Sequence, residues 1–317
     1  MASTLAYLGP EGTFAQAAAD AARTVPGAQA FAAPDVDAVI RGVEDATYDY
    51  GVVPIENSVH GTVLPTLDHL VFVQDGVLVR EEVVVPVSFV LFGNADARDA
   101  KVVLSHPHAL AQCREMIAAR GLVAEETSST AEACRLVATT RRDALCIAAP
   151  HAGGHYGLRT IAGAVEDRDG GSTRFYVLGR ALAPETGRGV GGETFRTGLV
   201  LTPGRDRPGI LLEMLRPFAE RGVNLSSLMS RPLRSGLGLY CFILVVDAHR
   251  STPELGAALS ELLDHGVRIK NLGSYLAWPS AAPAPGAHAE YPRGSVAASD
   301  DPDQQRRVLL PPTDPTP

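Results

Sequence analysis

From residue 5 to residue 181, short runs of apolar residues alternate with segments in which apolar residues recur every three or four positions. The short runs are typical of buried strands, and the longer spacing is typical of helices that cover a sheet. This alternation predicts an α/β fold with a largely parallel sheet. The predicted strands are Leu5–Leu8, Tyr50–Ile55, Val77–Phe92, Lys101–Leu104, Leu145–Ala148 and Arg174–Leu178. The predicted helices lie near residues 14–23, 35–45, 62–72, 107–120 and 129–141.

A different order of elements follows in residues 196–276, where the pattern predicts βαββαβ. In its first helix, Leu211, Met214, Leu215 and Phe218 form one apolar face that can cover a sheet. The predicted strands are Thr197–Thr202, Asn224–Arg231, Leu239–Asp247 and Val267–Gly273, and the predicted helices are Pro208–Glu220 and Pro253–Asp264.

Two segments lack apolar periodicity. Residues 183–195 are rich in glycine and predict a linker between two domains. Residues 279–317 are rich in Ala, Pro, Asp and Arg, and we expect them to form a disordered tail. A length of 317 residues also favours two domains, because single cores stop growing near ~250–300 residues.

Charge and hydropathy exclude several classes of partner. A formal net charge of −8 favours neither a nucleic-acid partner nor an anionic membrane surface. No segment approaches the ~18 apolar residues of a membrane span, and the N-terminus does not resemble a secretory signal, so we expect a cytoplasmic protein. His106 and His108 have no third ligand at a recognisable spacing, so we expect no metal.

Polar residues follow the ends of the first two predicted strands, where ligands bind in open α/β sheets. Gly12 and Thr13 lie in the turn between the first strand and its helix. Glu56, Asn57 and Ser58 leave the next strand together. Two interpretations remain open: a binding site, or an ordinary turn in which Asn57 or Ser58 caps the following helix.

Two further segments carry candidate chemistry. Ser105 and His106 end a strand just before a helix. In Thr173-Arg174-Phe175, the hydroxyl can donate a hydrogen bond, the guanidinium can hold a carboxylate and the ring can exclude water. Strands often start with such residues, so the tripeptide alone does not decide between a site and a strand start.

Several short motifs follow one another along the chain: Gly9-Pro10-Glu11-Gly12-Thr13-Phe14, Pro54-Ile55-Glu56-Asn57-Ser58, Ser105-His106-Pro107, Gln112-Cys113, Tyr156-Gly157-Leu158 and Thr173-Arg174-Phe175. In that order they resemble the prephenate dehydratases. The C-terminal unit resembles an ACT regulatory domain through Pro208-Gly209-Ile210-Leu211, Asn224-Leu225, Ser230-Arg231-Pro232 and Leu272-Gly273-Ser274-Tyr275.

The resemblance implies a two-lobed catalytic region similar to periplasmic binding proteins, with the active site between the lobes. It implies lobe 1 at about residues 1–76 and 160–182, lobe 2 at about 77–159, and a ferredoxin-like ACT domain at 196–278. The implied reaction converts prephenate to phenylpyruvate, water and carbon dioxide in phenylalanine biosynthesis, with no metal or organic cofactor.

This reaction suggests a role for each catalytic candidate. We expect Thr173 to donate a hydrogen bond to the departing hydroxyl, with Glu56 as the alternative acid. Arg174 either anchors the carboxylate that does not react or pairs with Glu56 and holds the lobes together. Phe175 would exclude water. The candidate substrate contacts are Gly12, Thr13, Asn57, Ser58, Ser105 and His106.

The ACT resemblance implies phenylalanine as effector, bound between units of a homodimer or homotetramer. The implied effector residues are Gly209, Ile210, Leu211, Asn224, Leu225, Ser230, Arg231 and Pro232. Three positions depart from the family pattern. His60 and Met229 each replace a common acid and Gly171 a common asparagine, which puts substrate placement and phenylalanine feedback in doubt.

Other functions remain open: dehydration of arogenate, a non-aromatising prephenate decarboxylase, or a non-catalytic amino-acid sensor. The retained Thr173 argues against the decarboxylase, because that reaction must not expel the hydroxyl.

Overall fold

In the part of the chain that the structure describes, the strands form two sheets. The computed structural model describes residues 2–94, 97–141, 143–168, 170–181, 194–233 and 238–279, together with Ser295. The strands are β1 (Thr4–Leu8), β2 (Gln29–Ala33), β3 (Tyr50–Asn57), β4 (Gly61–Thr62), β5 (Val77–Pro86), β6 (Val90–Gly93), β7 (Val102–Ser105), β8 (Val123–Glu126), β9 (Leu145–Ala148), β10 (Arg159–Ala162), β11 (Ser172–Arg180), β12 (Phe195–Thr202), β13 (Leu225–Pro232), β14 (Tyr240–Val246) and β15 (Arg268–Leu276).

The α-helices are α1 (Phe14–Asp20), α2 (Val36–Glu44), α3 (Leu64–Asp68), α4 (Pro107–Gln112), α5 (Arg114–Ala119), α6 (Thr130–Thr139), α7 (Ala152–His155), α8 (Ile210–Glu220) and α9 (Pro253–Asp264). A π-helical segment, His69–Val73, follows α3 directly. The predicted linker over residues 183–195 and the predicted tail over residues 279–317 lie almost entirely outside the described residues, and both stay predictions.

The first lobe is built on β2, β1, β3, β11 and β5, in that order across the sheet. β1 pairs in parallel with both of its neighbours, whereas β11 runs antiparallel between β3 and β5. Helix α1 packs Ala15 and Ala18 onto one face of this sheet, and α2 packs Val39 and Ile40 onto the other. The predicted α/β fold is confirmed.

The second lobe has its own sheet, in the order β10-β6-β9-β7-β8. The predicted helix over residues 107–120 is interrupted at Cys113, which separates α4 from α5. The sequence pattern missed four strands: the two-residue strand β4, and β2, β8 and β10, whose residues are mostly exposed, so they lack the apolar run that would reveal them.

The boundary between the lobes differs from the expected one. The single strand predicted over 77–92 is in fact two strands, because the chain leaves the first sheet at Pro86 and enters the second at Val90. Strand β5 stays in the first lobe, where the buried carboxylates of Glu81 and Glu82 find arginine partners. The crossing to the second lobe therefore lies about ten residues later than residue 77.

The C-terminal unit, residues 195–278, forms an antiparallel sheet in the order β13-β14-β12-β15. Helices α8 and α9 bury Met214, Phe218, Leu255 and Leu262 on one face of that sheet. The predicted βαββαβ order is confirmed.

The other face of this C-terminal sheet packs against the first lobe, where Ile243, Leu272 and Tyr275 join the core that contains Leu70 and Val79. Strand β15 pairs with β5 at Leu276 and Glu81, so the two sheets are continuous. Gly273 makes this approach possible: its φ is 129°, and a Cβ there would lie 2.3 Å from the Val79 carbonyl oxygen.

Candidate active site

The ends of β3 and β11 bring four of the predicted site residues together in two sets. Asn57 lies opposite Thr173, and Glu56 lies opposite Arg174. Directly opposite residues on paired strands share a face, and neighbours along a strand alternate between faces. Asn57 and Thr173 therefore lie on one face of the sheet, and Glu56 and Arg174 lie on the other.

Phe175 shows that the Thr173 face is the one that α1 covers. Two residues beyond Thr173, its ring is only 2% exposed and packs in the core with Tyr7 and Ala15 of the first lobe. Phe175 was expected to exclude water from the site. The structure places it below the surface, where it supports the strand that carries Thr173.

Asn57 fixes the geometry of the Thr173 hydroxyl. The Asn57 Oδ1 atom accepts hydrogen bonds from the backbone N–H groups of Val59 (2.9 Å) and His60 (3.0 Å). The amide orientation is thereby set, and its Nδ2 atom donates to Thr173 Oγ1 at 3.0 Å. Because the threonine oxygen accepts this bond, its own O–H proton is directed elsewhere and is polarised for donation.

Ser58 locks the same strand end from the neighbouring position. Its hydroxyl oxygen accepts a hydrogen bond from the Ser172 N–H at 2.9 Å, and its own N–H donates to the Ser172 carbonyl at 2.9 Å. Thr173 is thus held on both sides, with Ser58 and Asn57 acting as supports. The structure brings together Asn57, Ser58 and Thr173, as the sequence led us to expect.

Gly12 and Thr13 stand at the start of α1, on the same face. Thr13 is the N-cap: its Oγ1 accepts from the Gln16 N–H at 3.4 Å and donates to the Leu8 carbonyl at 3.2 Å. The hydroxyl is thus already engaged within the first lobe. From the second lobe, His151 Nε2 lies 3.2 Å from the Thr13 carbonyl oxygen, so this loop touches both lobes.

On the second lobe, Ser105 and His106 lie at the end of β7. The Ser105 side chain is fully buried, and its hydroxyl donates to the Ile147 carbonyl at 2.6 Å. We therefore correct its expected substrate contact to a structural role. His106 caps α4, since its Nδ1 accepts from the His108 N–H at 3.2 Å.

His60, one of the departures from the family pattern, forms a contact between the lobes. Its ring stacks on that of His108 with centroids 4.2 Å apart, and its Nε2 lies 3.3 Å from Gln112 Nε2. Burial lowers the pKa of His106 and of His108, which favours uncharged imidazoles here.

On the opposite face, Arg174 forms ion pairs within the first lobe. Its Nε lies 3.1 Å from Glu56 Oε2, and its Nη1 lies 2.7 Å from Glu82 Oε2. The pairing with Glu56 was one of two expectations for Arg174, but Glu56 and Glu82 both lie in the first lobe, so this contact does not join the two lobes. A cavity of about 190 Å³ adjoins Arg174 and Glu56 and is also lined by residues of the C-terminal sheet.

The implied effector residues lie in three segments of the chain. Gly209, with a φ of 85°, leads into α8 at Ile210 and Leu211. Asn224 and Leu225 lie at the start of β13, and the Asn224 Nδ2 donates to Asp247 Oδ2 at 2.6 Å.

Ser230, Arg231 and Pro232 lie at the other end of β13. Strands rise about 3.3 Å per residue, which puts Arg231 roughly 20 Å from Leu225. Arg231 Nη2 forms an ion pair with Asp68 Oδ2 of α3 at 2.6 Å, so its side chain reaches the first lobe.

Sequence reasoning missed Glu82 and Arg196, which join the two domains. Arg196 Nη1 lies 3.0 Å from Glu82 Oε2. A signal was available: Glu81 and Glu82 interrupt a run of valines that reads as a buried strand. Buried carboxylates need partners.

Within the described part of the chain, no helix is long and apolar enough to cross a membrane, and no group of three His, Cys, Asp or Glu side chains could hold a metal ion.

Together these features define a two-lobed α/β protein with a hydroxyl–amide pair at its central strands and a separate βαββαβ unit. The family model described as prephenate dehydratase matches residues 5–182, and the ACT domain model matches residues 204–264. The chain belongs to the prephenate dehydratase family and carries a C-terminal ACT domain. The resemblance read from the motifs is confirmed.

Individual relatives agree over most of the chain. The prephenate dehydratase of Mycobacterium tuberculosis (strain H37Ra) is 35% identical over 292 residues, which cover 89% of each protein. The solved prephenate dehydratase of Arthrobacter aurescens, in complex with L-Phe, superimposes with a TM-score of 0.77 at 32% identity, covering 86% of this chain and 89% of that one.

A third relative has a similar fold but a different described activity. GqqA, described as a novel type of quorum quenching acylase, superimposes with a TM-score of 0.76 at 28% identity, covering 87% of this chain and 98% of its own. Function must therefore be argued from the site.

Proposed function

We propose that the chain is a lyase that converts prephenate to phenylpyruvate, and that Thr173 assists departure of the ring hydroxyl. Family membership supports the reaction. The hydrogen bond from Asn57 Nδ2 to Thr173 Oγ1 supports the assignment of the residue, because the threonine oxygen accepts it and the threonine proton remains free to be donated to another acceptor.

The reaction breaks two bonds of prephenate. The bond from the ring to its carboxylate breaks and releases carbon dioxide, and the electron pair enters the ring. The ring becomes aromatic as the carbon–oxygen bond breaks, and the hydroxide leaves and takes up a proton from solvent as water. Negative charge grows on the departing oxygen, so a donor positioned there stabilises the transition state more than the ground state.

The other groups near Thr173 suit a carboxylate that must leave. Beside Thr173 lie an amide and a hydroxyl, from Asn57 and Ser58. Across the lobes lie His106 and His108, whose pKa values are lowered by burial. A fixed cation on the reacting carboxylate would stabilise the ground state and oppose decarboxylation. Arg174 points to the opposite face, so we do not assign it to the substrate.

An assay of phenylpyruvate formation, monitored by the absorbance of the phenylpyruvate enolate in alkali, tests this function. Wild type should form product well above the spontaneous rate. The products formed from prephenate and from arogenate should both be identified, since arogenate would give phenylalanine directly. A product that retains the ring hydroxyl would contradict the dehydration, and no product would favour a sensor.

Phenylalanine is the effector that we propose for the C-terminal unit. The Arthrobacter aurescens relative was solved with L-Phe. Asn224 and Leu225 lie at one end of β13, and Ser230, Arg231 and Pro232 lie at the other, so one pocket needs a second copy to bring these segments together. A homodimer, or a tetramer built from dimers, follows from this proposal, and a role in phenylalanine biosynthesis fits the expected cytoplasmic location.

Light scattering and calorimetry test the regulatory proposal together. Phenylalanine should bind to a dimer or larger assembly and should change the rate of phenylpyruvate formation. A monomer that neither binds phenylalanine nor responds to it would contradict the regulatory role and leave the catalytic one intact.

A further inference from the structure

One buried carboxylate is shared by the catalytic strands and the C-terminal unit. Glu82 lies in β5 and is only 2% exposed. Its Oε2 atom lies 2.7 Å from Arg174 Nη1, in β11, and 3.0 Å from Arg196 Nη1, in β12. A carboxylate removed from water needs such partners, and here each domain supplies one.

Towards the catalytic side, the contacts continue to both strands that hold the active site. Arg174 directly follows Thr173, and its partner Glu56 directly precedes Asn57. The ion pair and the Asn57–Thr173 hydrogen bond therefore join the same two strand ends from opposite faces. The register between β3 and β11 shifts just after Arg174, where a bulge interrupts regular pairing.

Towards the regulatory side, the contacts continue to an implied effector residue. Arg196 Nε donates to Asp247 Oδ1 at 3.0 Å. The second oxygen of Asp247 accepts from Asn224 Nδ2 at 2.6 Å, and its N–H donates to the Asn224 carbonyl at 2.9 Å. We call Glu56, Arg174, Glu82, Arg196 and Asp247 the Glu82 network.

The surroundings allow this network to rearrange. The cavity of about 190 Å³ is lined by Glu56, Arg174 and Arg196, so these side chains have space beside them. Burial alone would lower the pKa of Arg174 and of Arg196, but Glu82 and the other carboxylates outweigh it and the pKa values are raised. Both arginines stay charged and therefore compete for the carboxylate of Glu82. Motion of β12 shifts Arg196 and thereby changes how closely this carboxylate contacts each arginine.

We propose that the Glu82 network couples effector binding at the C-terminal unit to the position of the Thr173 hydroxyl. The inference rests on the proposed regulation by phenylalanine and names the contacts that transmit it. Displacement of Asn224 and Asp247 moves Arg196, and Glu82 then shifts its contact with Arg174. The strand end that holds Thr173 moves in response. Glu82 acts here as a positioning residue, through Arg174.

Replacement of Arg196 in the full-length chain tests the coupling. Arg196→Gln removes the regulatory partner of Glu82 but leaves Arg174 and the catalytic face in place. Without effector, we expect kcat to stay within about threefold of wild type, because the buried carboxylate of Glu82 keeps its ion pair with Arg174. Phenylalanine should still bind by calorimetry. Allosteric couplings are typically 5–150-fold, and the response of kcat/KM to phenylalanine should fall to less than about twofold.

Lys270→Gln is the matched control. It removes the hydrogen bonds from Lys270 Nζ to the Leu70 and Val71 carbonyls, which also join the C-terminal unit to the first lobe but involve neither the Glu82 network nor an implied effector residue. This variant should keep a phenylalanine response close to that of wild type. If Arg196→Gln keeps the full response, or if Lys270→Gln loses as much of it, the network is not the coupling element.

A second variant keeps the test decisive if Arg196→Gln folds poorly. Glu82→Gln should also weaken the response, and the double variant should lose no more than the larger single loss, because both act through one contact. If the losses of phenylalanine response in the two single variants add up in the double variant, the proposal is overturned. Inactive wild type would refute the function, whereas active wild type that ignores phenylalanine would refute regulation and coupling together.

Discussion

On the α1 face of the β3–β11 pair, Asn57 and Thr173 present an amide and a hydroxyl, whereas the opposite face carries the Glu56–Arg174 ion pair. One step along each strand separates them. Neutral donors suit a site that must release a carboxylate, and the charges lie where the C-terminal sheet can reach them. Adjacent residues of one motif therefore serve different partners.

The largest expected effect tests the α1 face, which carries Asn57 and Thr173. Thr173→Ala removes the donor to the departing oxygen, and kcat should fall by about 10²-fold or more. The measurement is the steady-state rate of phenylpyruvate formation. Thr173→Ser, which keeps a hydroxyl, should retain most of the rate. An unchanged kcat in Thr173→Ala, with a collapse in Glu56→Gln, would reverse the roles of the two faces.

The next effect separates the hydroxyl from the amide that orients it. Asn57→Asp keeps an acceptor for the Val59 and His60 N–H groups but loses the N–H donor to Thr173. Thr173 should then donate its proton to the new carboxylate. One hydrogen bond contributes about 1 kcal/mol, and a reversed hydroxyl costs more, so kcat should fall by roughly tenfold or more.

The melting temperature of Asn57→Asp is the control, because the turn that Asn57 caps is kept. It should stay near the wild-type value, whereas Asn57→Ala should lower both the rate and the melting temperature. Wild-type kcat in Asn57→Asp would show that the amide does not orient Thr173.

A smaller effect tests the charged face. Glu56→Gln removes a carboxylate that is 53% exposed and paired with Arg174. Exposed ion pairs contribute less than about 1 kcal/mol, so kcat should fall by at most about threefold. Steady-state kinetics without phenylalanine measure kcat, and kinetics with phenylalanine measure the response to the effector. A loss as large as that of Thr173→Ala would place Glu56 in the chemistry.

Local periodicity predicted the α/β class of the first region and the βαββαβ order of the C-terminal unit, but it missed exposed strands such as β2, β8 and β10. Strand alternation within Thr173-Arg174-Phe175 could also have separated Arg174 from Thr173, since successive residues point to opposite faces. The partners of Arg174 could not be read in this way. Glu82 and Arg196 come from distant strands, and only the assembled sheet fixes which strands are neighbours.

The smallest expected effect concerns pH and the uncharged state of the α1 face. Burial, and then the neighbouring His60, lower the pKa of His108 from 6.5. The other titratable groups nearby are His106 and, beside it, Glu126. A lowered pKa means that the folded state binds fewer protons than the unfolded chain, so this stabilisation is complete above pH 6.5 and is lost as the pH falls through the lowered pKa.

Melting temperatures of wild type and His108→Gln, measured between about pH 7.5 and pH 5, test this sign. Wild type should lose more stability on acidification than His108→Gln, because the variant has no imidazole to charge beside His60. His265→Gln, at the end of α9, should follow wild type. Equal losses in wild type and His108→Gln would show that the interlobe histidine contact tolerates charge, and the neutrality of this face would then depend on Asn57, Ser58 and Thr173 alone.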